Sequence, residues 1–118
     1  MSIKRISIPQ DFILGAAASA WQTEGWSGKR EGQDSWIDLW YKNDRHVWHN
    51  GYGPAVATDF INRFREDVAL MKQAGLTHYR TSINWSRFLI DYENAVVDET
   101  YAAWYDELFA EMYRQGIE

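Results

Sequence analysis

Two stretches of the sequence decide the fold: residues 12–25, FILGAAASAWQTEG, and residues 79–87, YRTSINWSR. Each begins with apolar residues that predict a strand, and each ends in polar and aromatic residues. The pattern predicts a first strand over residues 12–17, apolar on both faces and therefore buried, and a second strand over residues 78–85. A helix between two such strands makes a unit whose strand ends meet at one edge of a parallel sheet. Ligands bind at that edge, so we expect Gln22 and Arg80 to lie near it together.

Two amphipathic helices complete a β-α-β-α order. The first is predicted over residues 57–74, capped by Thr58 or Asp59 and ended by Gly75. Its apolar stripe consists of Phe60, Phe64, Val68 and Met71. The second runs from a cap at Asp98 to about Gln115 and ends at Gly116; its apolar face consists of Tyr101, Tyr105, Leu108 and Met112. Residues 23–56 and 88–97 are predicted to be loops, and residues 117–118 to lead into a third strand.

Composition excludes several classes of protein. The chain has 118 residues, which predicts one domain at most, and a net charge of −5, which argues against nucleic-acid binding. It has no cysteine, so disulfide and thiolate chemistry are excluded. Residues 1–11 have no signal-peptide run and no segment is long enough to span a bilayer, so we expect a cytoplasmic protein with no membrane partner.

Aromatic residues are unusually frequent in the predicted long loop. The chain has seven Trp, and four of them, with two Tyr, lie between Trp26 and Tyr52. One interpretation is a loop whose rings pack onto the domain. The other is a sugar-binding loop, because aromatic rings stack on the C–H faces of pyranoses. Composition does not separate the two.

Gln22 and Arg80 are the candidate functional residues. The Gln22 amide both donates and accepts, so it can bridge two neighbouring sugar hydroxyls or, alternatively, bind loop backbone. Arg80 lies inside an apolar strand and is predicted to be buried, so its guanidinium needs a carboxylate, either within this unit or from elsewhere in the fold. Glu24 and Glu31 are rejected as a catalytic pair because nothing places them opposite each other. The three histidines, His46, His49 and His78, have no metal-ligand spacing with an acidic residue, so no metal is expected.

Together these motifs resemble glycoside hydrolase family 1, the β-glucosidase and 6-phospho-β-glycosidase family. Residues 12–25 resemble its opening strand, F-L-W-G-A-A-T-A-A-Y-Q-x-E-G, and residues 80–87 resemble R-F-S-I-S-W-S-R. Residues 57–75 and 98–118 are similar to its first two barrel helices, and Ser35 to Asp38 resembles S-x-W-D. Two departures stand out: Thr81 replaces a common Phe, which favours the 6-phospho-β-glucosidase branch, and residues 88–97 lack the usual I-x-P-x-G.

The resemblance implies that residues 1–118 are the N-terminal β-α-β-α portion of a single (β/α)8 barrel domain, the fold of a retaining β-glycosidase. It implies that Gln22 binds the substrate sugar and that Arg80 contacts the nucleophilic glutamate. Both catalytic glutamates would lie outside this chain, which holds no catalytic residue of its own and should be inactive alone. No cofactor is implied. The expected substrate is a 6-phospho-β-glucoside. The alternatives are a plain β-glucosidase or β-galactosidase, or a truncated, non-catalytic module that binds sugar or a partner. The isolated chain is expected to self-associate.

Overall fold

The structure is a computed structural model that describes residues 5–118. Residues 1–4, which belong to the segment examined for a signal peptide, lie outside the described residues. The elements in chain order are β1 (Gly15–Ala17), α1 (Ala20–Thr23), α2 (Trp36–Asn43), α3 (Phe60–Gln73), β2 (His78–Arg80), α4 (Trp85–Phe88), β3 (Leu89–Asp91), β4 (Val96–Val97) and α5 (Glu99–Gln115). Two short 3-10 turns, Arg45–Val47 and His49–Gly51, follow α2.

Strands β1 and β2 pair in parallel, which confirms the predicted unit. Gly15 lies opposite His78 and Ala17 lies opposite Arg80. Glu118 continues the ladder beyond β2, because its N–H donates to the Thr77 carbonyl at 2.9 Å and its carbonyl accepts from the Tyr79 N–H at 2.8 Å. These two bonds have the pattern of a parallel neighbour of β2, which is consistent with the prediction that residues 117–118 lead into a third strand.

The core lies between α3 and α5, and its residues are those that the helical stripes predict. Phe60, Phe64 and Val68 of α3 pack with the buried side chains of α5: Tyr101, Tyr105, Leu108 and Met112. Asp98 accepts hydrogen bonds from the N–H groups of Thr100 and Tyr101, so the predicted cap of α5 is confirmed. Apolar burial between the two helices therefore stabilises this unit.

The ends of α3 differ from the expectation in one respect. Asp59 is the residue that precedes the helix, but its side chain makes no capping bond and its φ is 56°. At the other end Gly75 has a φ of +81°, and the Leu76 N–H donates to the Met71 carbonyl, as predicted for a helix that stops at a glycine.

The predicted burial of the first strand is wrong. All of residues 12–17 are exposed, and regular strand structure covers only Gly15–Ala17. The expectation assumed a complete sheet covered on both faces, whereas among the described residues β1 pairs only with β2. The second strand is also shorter than the predicted 78–85. It stops at Arg80, and the N–H of Asn84 donates to the hydroxyl of Tyr105 instead of to a strand.

Both predicted loops contain regular structure. Residues 23–56 include α2, which starts at a reciprocal capping box between Ser35 and Asp38. Residues 88–97 form a β3–β4 hairpin, in which Leu89 lies opposite Val97. No helix within residues 5–118 is long and apolar enough to cross a membrane.

Candidate functional site

Gln22 lies in α1, the single helical turn that follows β1. The turn starts near the strand-end edge, where the Ala18 N–H donates to the Arg80 carbonyl at 2.9 Å. The Gln22 side chain is exposed, and within residues 5–118 it makes no hydrogen bond. The alternative that Gln22 binds loop backbone is therefore not observed, and its amide is accessible to a ligand.

Arg80 is the last residue of β2 and lies at the same edge as the turn that carries Gln22. The prediction that Arg80 is buried is wrong, because its side chain is exposed. No carboxylate of the described residues forms an ion pair with it, so the alternative of a structural pair inside this unit is not observed. Arg80 and Gln22 share an edge of the sheet but do not touch each other through a hydrogen bond.

A cleft of about 720 Å³ opens beside Gln22. Its walls are mostly aromatic and small residues, and include Trp21, Tyr41, Trp48 and Tyr52. The ring of Trp48 contacts Trp21 edge-on, with centroids 5.8 Å apart, and contacts Trp40 at 5.7 Å. Some aromatic rings of the long segment thus pack on one another, and some line the cleft that holds Gln22. That these rings bind a sugar stays a prediction.

The buried carboxylate of Asp38 joins α2 to the aromatic segment that precedes it. Asp38 is 2% exposed and accepts hydrogen bonds from Trp26 Nε1 and Lys29 Nζ, both at 2.5 Å, and from Ser35. Burial alone would raise the pKa of the Asp38 carboxyl, but the hydrogen bonds from Lys29 and Ser35 outweigh it and lower the pKa. Asp38 is therefore an ionised anchor for the aromatic segment.

Glu24 is the centre of a buried polar cluster that sequence reasoning missed. Its carboxylate is 2% exposed and accepts hydrogen bonds from the hydroxyls of Tyr101 and Tyr105, the latter at 2.9 Å, and from Asn84 Nδ2 at 3.4 Å. Arg87 Nε lies 3.8 Å from Glu24 Oε2. The cluster joins the end of α1 to α4 and α5.

Arg87 also binds backbone, because its two terminal nitrogens donate to the carbonyls of Gly25 at 2.9 Å and Ser27 at 2.6 Å. Burial and the negative charge of Glu24 raise the pKa of both Tyr101 and Tyr105 well above the usual range, so both phenols remain neutral donors. Glu24 is thus a structural carboxylate. The only sequence signal that could have found it is the glutamate of the opening motif, two positions after Gln22.

Comparison with known proteins shows the family to which this chain belongs. Residues 4–118 match the sequence model of glycosyl hydrolase family 1. The chain belongs to glycosyl hydrolase family 1. It is 36% identical over 111 residues to the 6-phospho-beta-glucosidase GmuD of Bacillus subtilis (strain 168), covering 93% of this chain and 23% of that protein. It is 39% identical over 117 residues to Beta-glucosidase 17 of Arabidopsis thaliana, covering 98% of this chain and 23% of that protein.

A solved structure gives the fold. The chain superposes on the beta-glucosidase from Trichoderma harzianum with a TM-score of 0.82 and 30% identity, covering 98% of this chain and 25% of that one. The fold is the N-terminal portion of a (β/α)8 barrel, as the sequence predicts. The chain of 118 residues spans about a quarter of the length of these family 1 relatives.

Proposed function

We propose that the protein to which this chain belongs hydrolyses β-glycosidic bonds with retention, and that residues 1–118 form the N-terminal portion of its single (β/α)8 domain. The observation that carries the proposal is the unpartnered amide of Gln22, which lines an aromatic cleft next to the strand-end edge. Membership of glycosyl hydrolase family 1 supports it.

The chain would contribute binding and electrostatics to the reaction. The Gln22 amide would donate to one sugar hydroxyl and accept from its neighbour, and these contacts would tighten in the transition state. Arg80 is exposed and has no carboxylate partner within the described residues. We assign it the task of holding the nucleophilic carboxylate ionised, because a nearby guanidinium lowers a carboxyl pKa.

The two carboxylates that retention needs would come from outside this chain. In that mechanism one carboxylate attacks the sugar and the other first protonates the leaving oxygen and then activates water. Glu24 is unsuited to either task, because its oxygens already bind Tyr101, Tyr105 and Asn84. The isolated chain should therefore turn over no substrate.

The proposed substrate is a 6-phospho-β-glucoside. Residues 80–83, Arg-Thr-Ser-Ile, favour this branch, and one relative carries that activity in its name. The alternative is a plain β-glucosidase or β-galactosidase, and relatives named beta-glucosidase support that. A cytoplasmic location belongs to the same proposal, since phosphorylated sugars are retained inside cells by their charge.

The test compares nitrophenyl β-glucoside, nitrophenyl β-galactoside and nitrophenyl β-glucoside 6-phosphate with the full-length protein. A higher kcat/KM for the phosphorylated substrate supports the 6-phospho branch, and the reverse order supports the alternative. No turnover of any β-glycoside by the full-length protein would contradict the proposed function. Turnover by the isolated chain, lost on mutation of one of its own glutamates, would contradict the assignment of both carboxylates to the rest of the protein.

Gln22→Ala in the full-length protein tests the binding residue. We expect kcat/KM to fall by an amount that corresponds to about 1–3 kcal/mol of lost transition-state stabilisation, because the sugar hydroxyls would lose their partner. Gln73→Ala is the control, since Gln73 is an exposed glutamine on α3. Kinetics of the Gln22→Ala variant equal to those of Gln73→Ala would show that Gln22 does not bind substrate.

A further inference from the structure

The helical turn that carries Gln22 is capped by a residue from a different part of the chain. Ser19 is the residue that precedes α1, yet its side chain makes no capping hydrogen bond. The Ala20 N–H donates instead to Oγ of Ser82 at 2.9 Å, although Ser82 lies 62 positions further along the chain. We propose that Ser82 is a positioning residue that fixes Gln22 relative to Arg80; this inference rests on the proposed sugar-binding role of Gln22.

The route from Arg80 to Gln22 is short. Ser82 comes two residues after Arg80, and Gln22 comes two residues after Ala20. Two residues before Ala20, the Ala18 N–H donates to the Arg80 carbonyl at 2.9 Å. Two successive hydrogen bonds therefore tie the turn to the end of β2.

The bond is also in a place where it cannot easily be replaced. Ala20 is 2% exposed, so its N–H has little access to water. A buried N–H without a partner is costly, and the turn would have to shift to recover one. Such a shift moves Gln22, because α1 is only four residues long and has no second turn to absorb the change.

The other end of α1 is held separately. The Glu24 N–H donates to the Ala20 carbonyl, and the Glu24 side chain is fixed by Tyr101 and Tyr105. The carbonyl of Thr23 accepts from the hydroxyl of Thr58 at 3.1 Å. With this end fixed, loss of the Ser82 bond should rotate the turn about its Glu24 end rather than unfold the domain.

A double-mutant cycle in the full-length protein distinguishes positioning from general stabilisation. The variants are Ser82→Ala, Gln22→Ala and the combination, assayed on the best nitrophenyl glycoside. Ser82→Ala should lower kcat/KM by about tenfold, which is the effect of one hydrogen bond of roughly 1.4 kcal/mol. In the Gln22→Ala background the same change should have an effect of less than about twofold, because residues that act through each other are not additive.

Two further variants complete the design. Ser82→Thr keeps the hydroxyl and should retain activity within about threefold of wild type, which also covers the case in which Ser82→Ala fails to fold. Thr77→Ala is the matched control. The hydroxyl of Thr77 donates to the Leu14 carbonyl at 3.1 Å, so it joins the same two strand segments, but at the ends where the strands begin. Thr77→Ala should leave kcat/KM unchanged.

The outcomes separate this inference from the proposed function. An equal loss from Ser82→Ala in both backgrounds, or no loss at all, would overturn the positioning role even if hydrolysis is normal. If the wild-type protein hydrolyses no glycoside, the proposed function fails, and hydrogen exchange then decides the positioning. Amides of residues 19–25 should exchange faster in Ser82→Ala than in wild type and Thr77→Ala, and equal rates would overturn the inference.

Discussion

Glu24→Ala in the full-length protein removes the centre of the buried polar cluster. The substitution removes the carboxylate that accepts from Tyr101, Tyr105 and Asn84 and that balances the charge of Arg87. The side chains of Glu24 and Arg87 are only 3% and 4% exposed, so water cannot take the place of the lost contacts. The variant would leave a buried guanidinium without its counter-charge.

The magnitude follows from what remains after the change. Removing one partner of a buried ion pair costs about 3–5 kcal/mol. The cost should fall at the lower end here. Arg87 keeps its bonds to the carbonyls of Gly25 and Ser27, and the two tyrosine hydroxyls keep their 3.0 Å bond to each other. We therefore expect the free energy of unfolding to fall by about 3 kcal/mol.

Urea unfolding followed by tryptophan fluorescence measures this change. Glu24→Gln retains an acceptor oxygen but loses the charge, so its loss should be intermediate, about 1–2 kcal/mol. Glu31→Ala is the control, because Glu31 is exposed and lies outside the cluster; it should change stability by less than about 0.5 kcal/mol. If Glu24→Ala were as stable as Glu31→Ala, the argument that Glu24 is a structural centre would be refuted.

Three further predictions follow from packing and charge. Burial and the charge of Glu24 raise the pKa of Tyr101 and Tyr105 in the folded state, whereas an unfolded tyrosine titrates near pH 10. The free energy of unfolding should therefore fall as pH rises above about 10. Urea midpoints should show a less steep fall in the double variant Tyr101→Phe, Tyr105→Phe. Gly53→Ala would place a Cβ in steric clash with the ring of Tyr41, so it should lower the free energy of unfolding by about 1–3 kcal/mol, and an unchanged urea midpoint would contradict this. The isolated chain should self-associate through the exposed residues 12–17 and the open edge of β1, which sedimentation equilibrium tests; a dilute monomer with fixed near-ultraviolet tryptophan signals would contradict it.

The two long helices could be predicted from the sequence because their signals are local. In α5 a capping aspartate, a four-residue apolar spacing and a terminal glycine all lie within one segment, and Asp98 and Gly116 bound the helix as expected. The parallel pairing of β1 and β2 also followed, since an intervening helix leaves little alternative. The helix ends depend only on neighbours in sequence, and the strand pairing follows from the order of the elements.

Helix α2 was missed although a signal was present. Ser35 and Asp38 form the capping box that marks a helix start, but the density of tryptophan in this segment masked the helical spacing of Ile37 and Tyr41, which are the buried apolar residues of α2. The exposure of Arg80 could not have been predicted from the strand pattern, because that pattern describes a residue inside a completed sheet.

The candidate site was only half predictable, for a physical reason. Gln22 and Arg80 stand in motifs, but their geometry depends on polar contacts between residues far apart in sequence: Ser82 with Ala20, and Tyr105 with Glu24, 81 positions away. A hydrogen bond of this kind leaves no periodic trace in the sequence, unlike an apolar stripe.

The contrast between apolar packing and hydrogen bonds predicts which mutations should mainly lower stability and which should mainly change catalysis. Val68 is a buried apolar residue of the α3–α5 core whose side chain takes no part in the polar bonds around α1, so Val68→Ala should lower stability without altering the geometry of α1. A single hydrogen bond at α1, such as that from Ala20 to Ser82, contributes less to the total stability, since one such bond is worth only about 1 kcal/mol. Hydrogen bonds fix the orientation of the groups that they join, however, whereas apolar contacts are not directional and fix orientation poorly. A short turn that must present one amide at a sheet edge therefore needs a partner such as Ser82, and a substitution there should change catalysis more than its effect on stability would suggest.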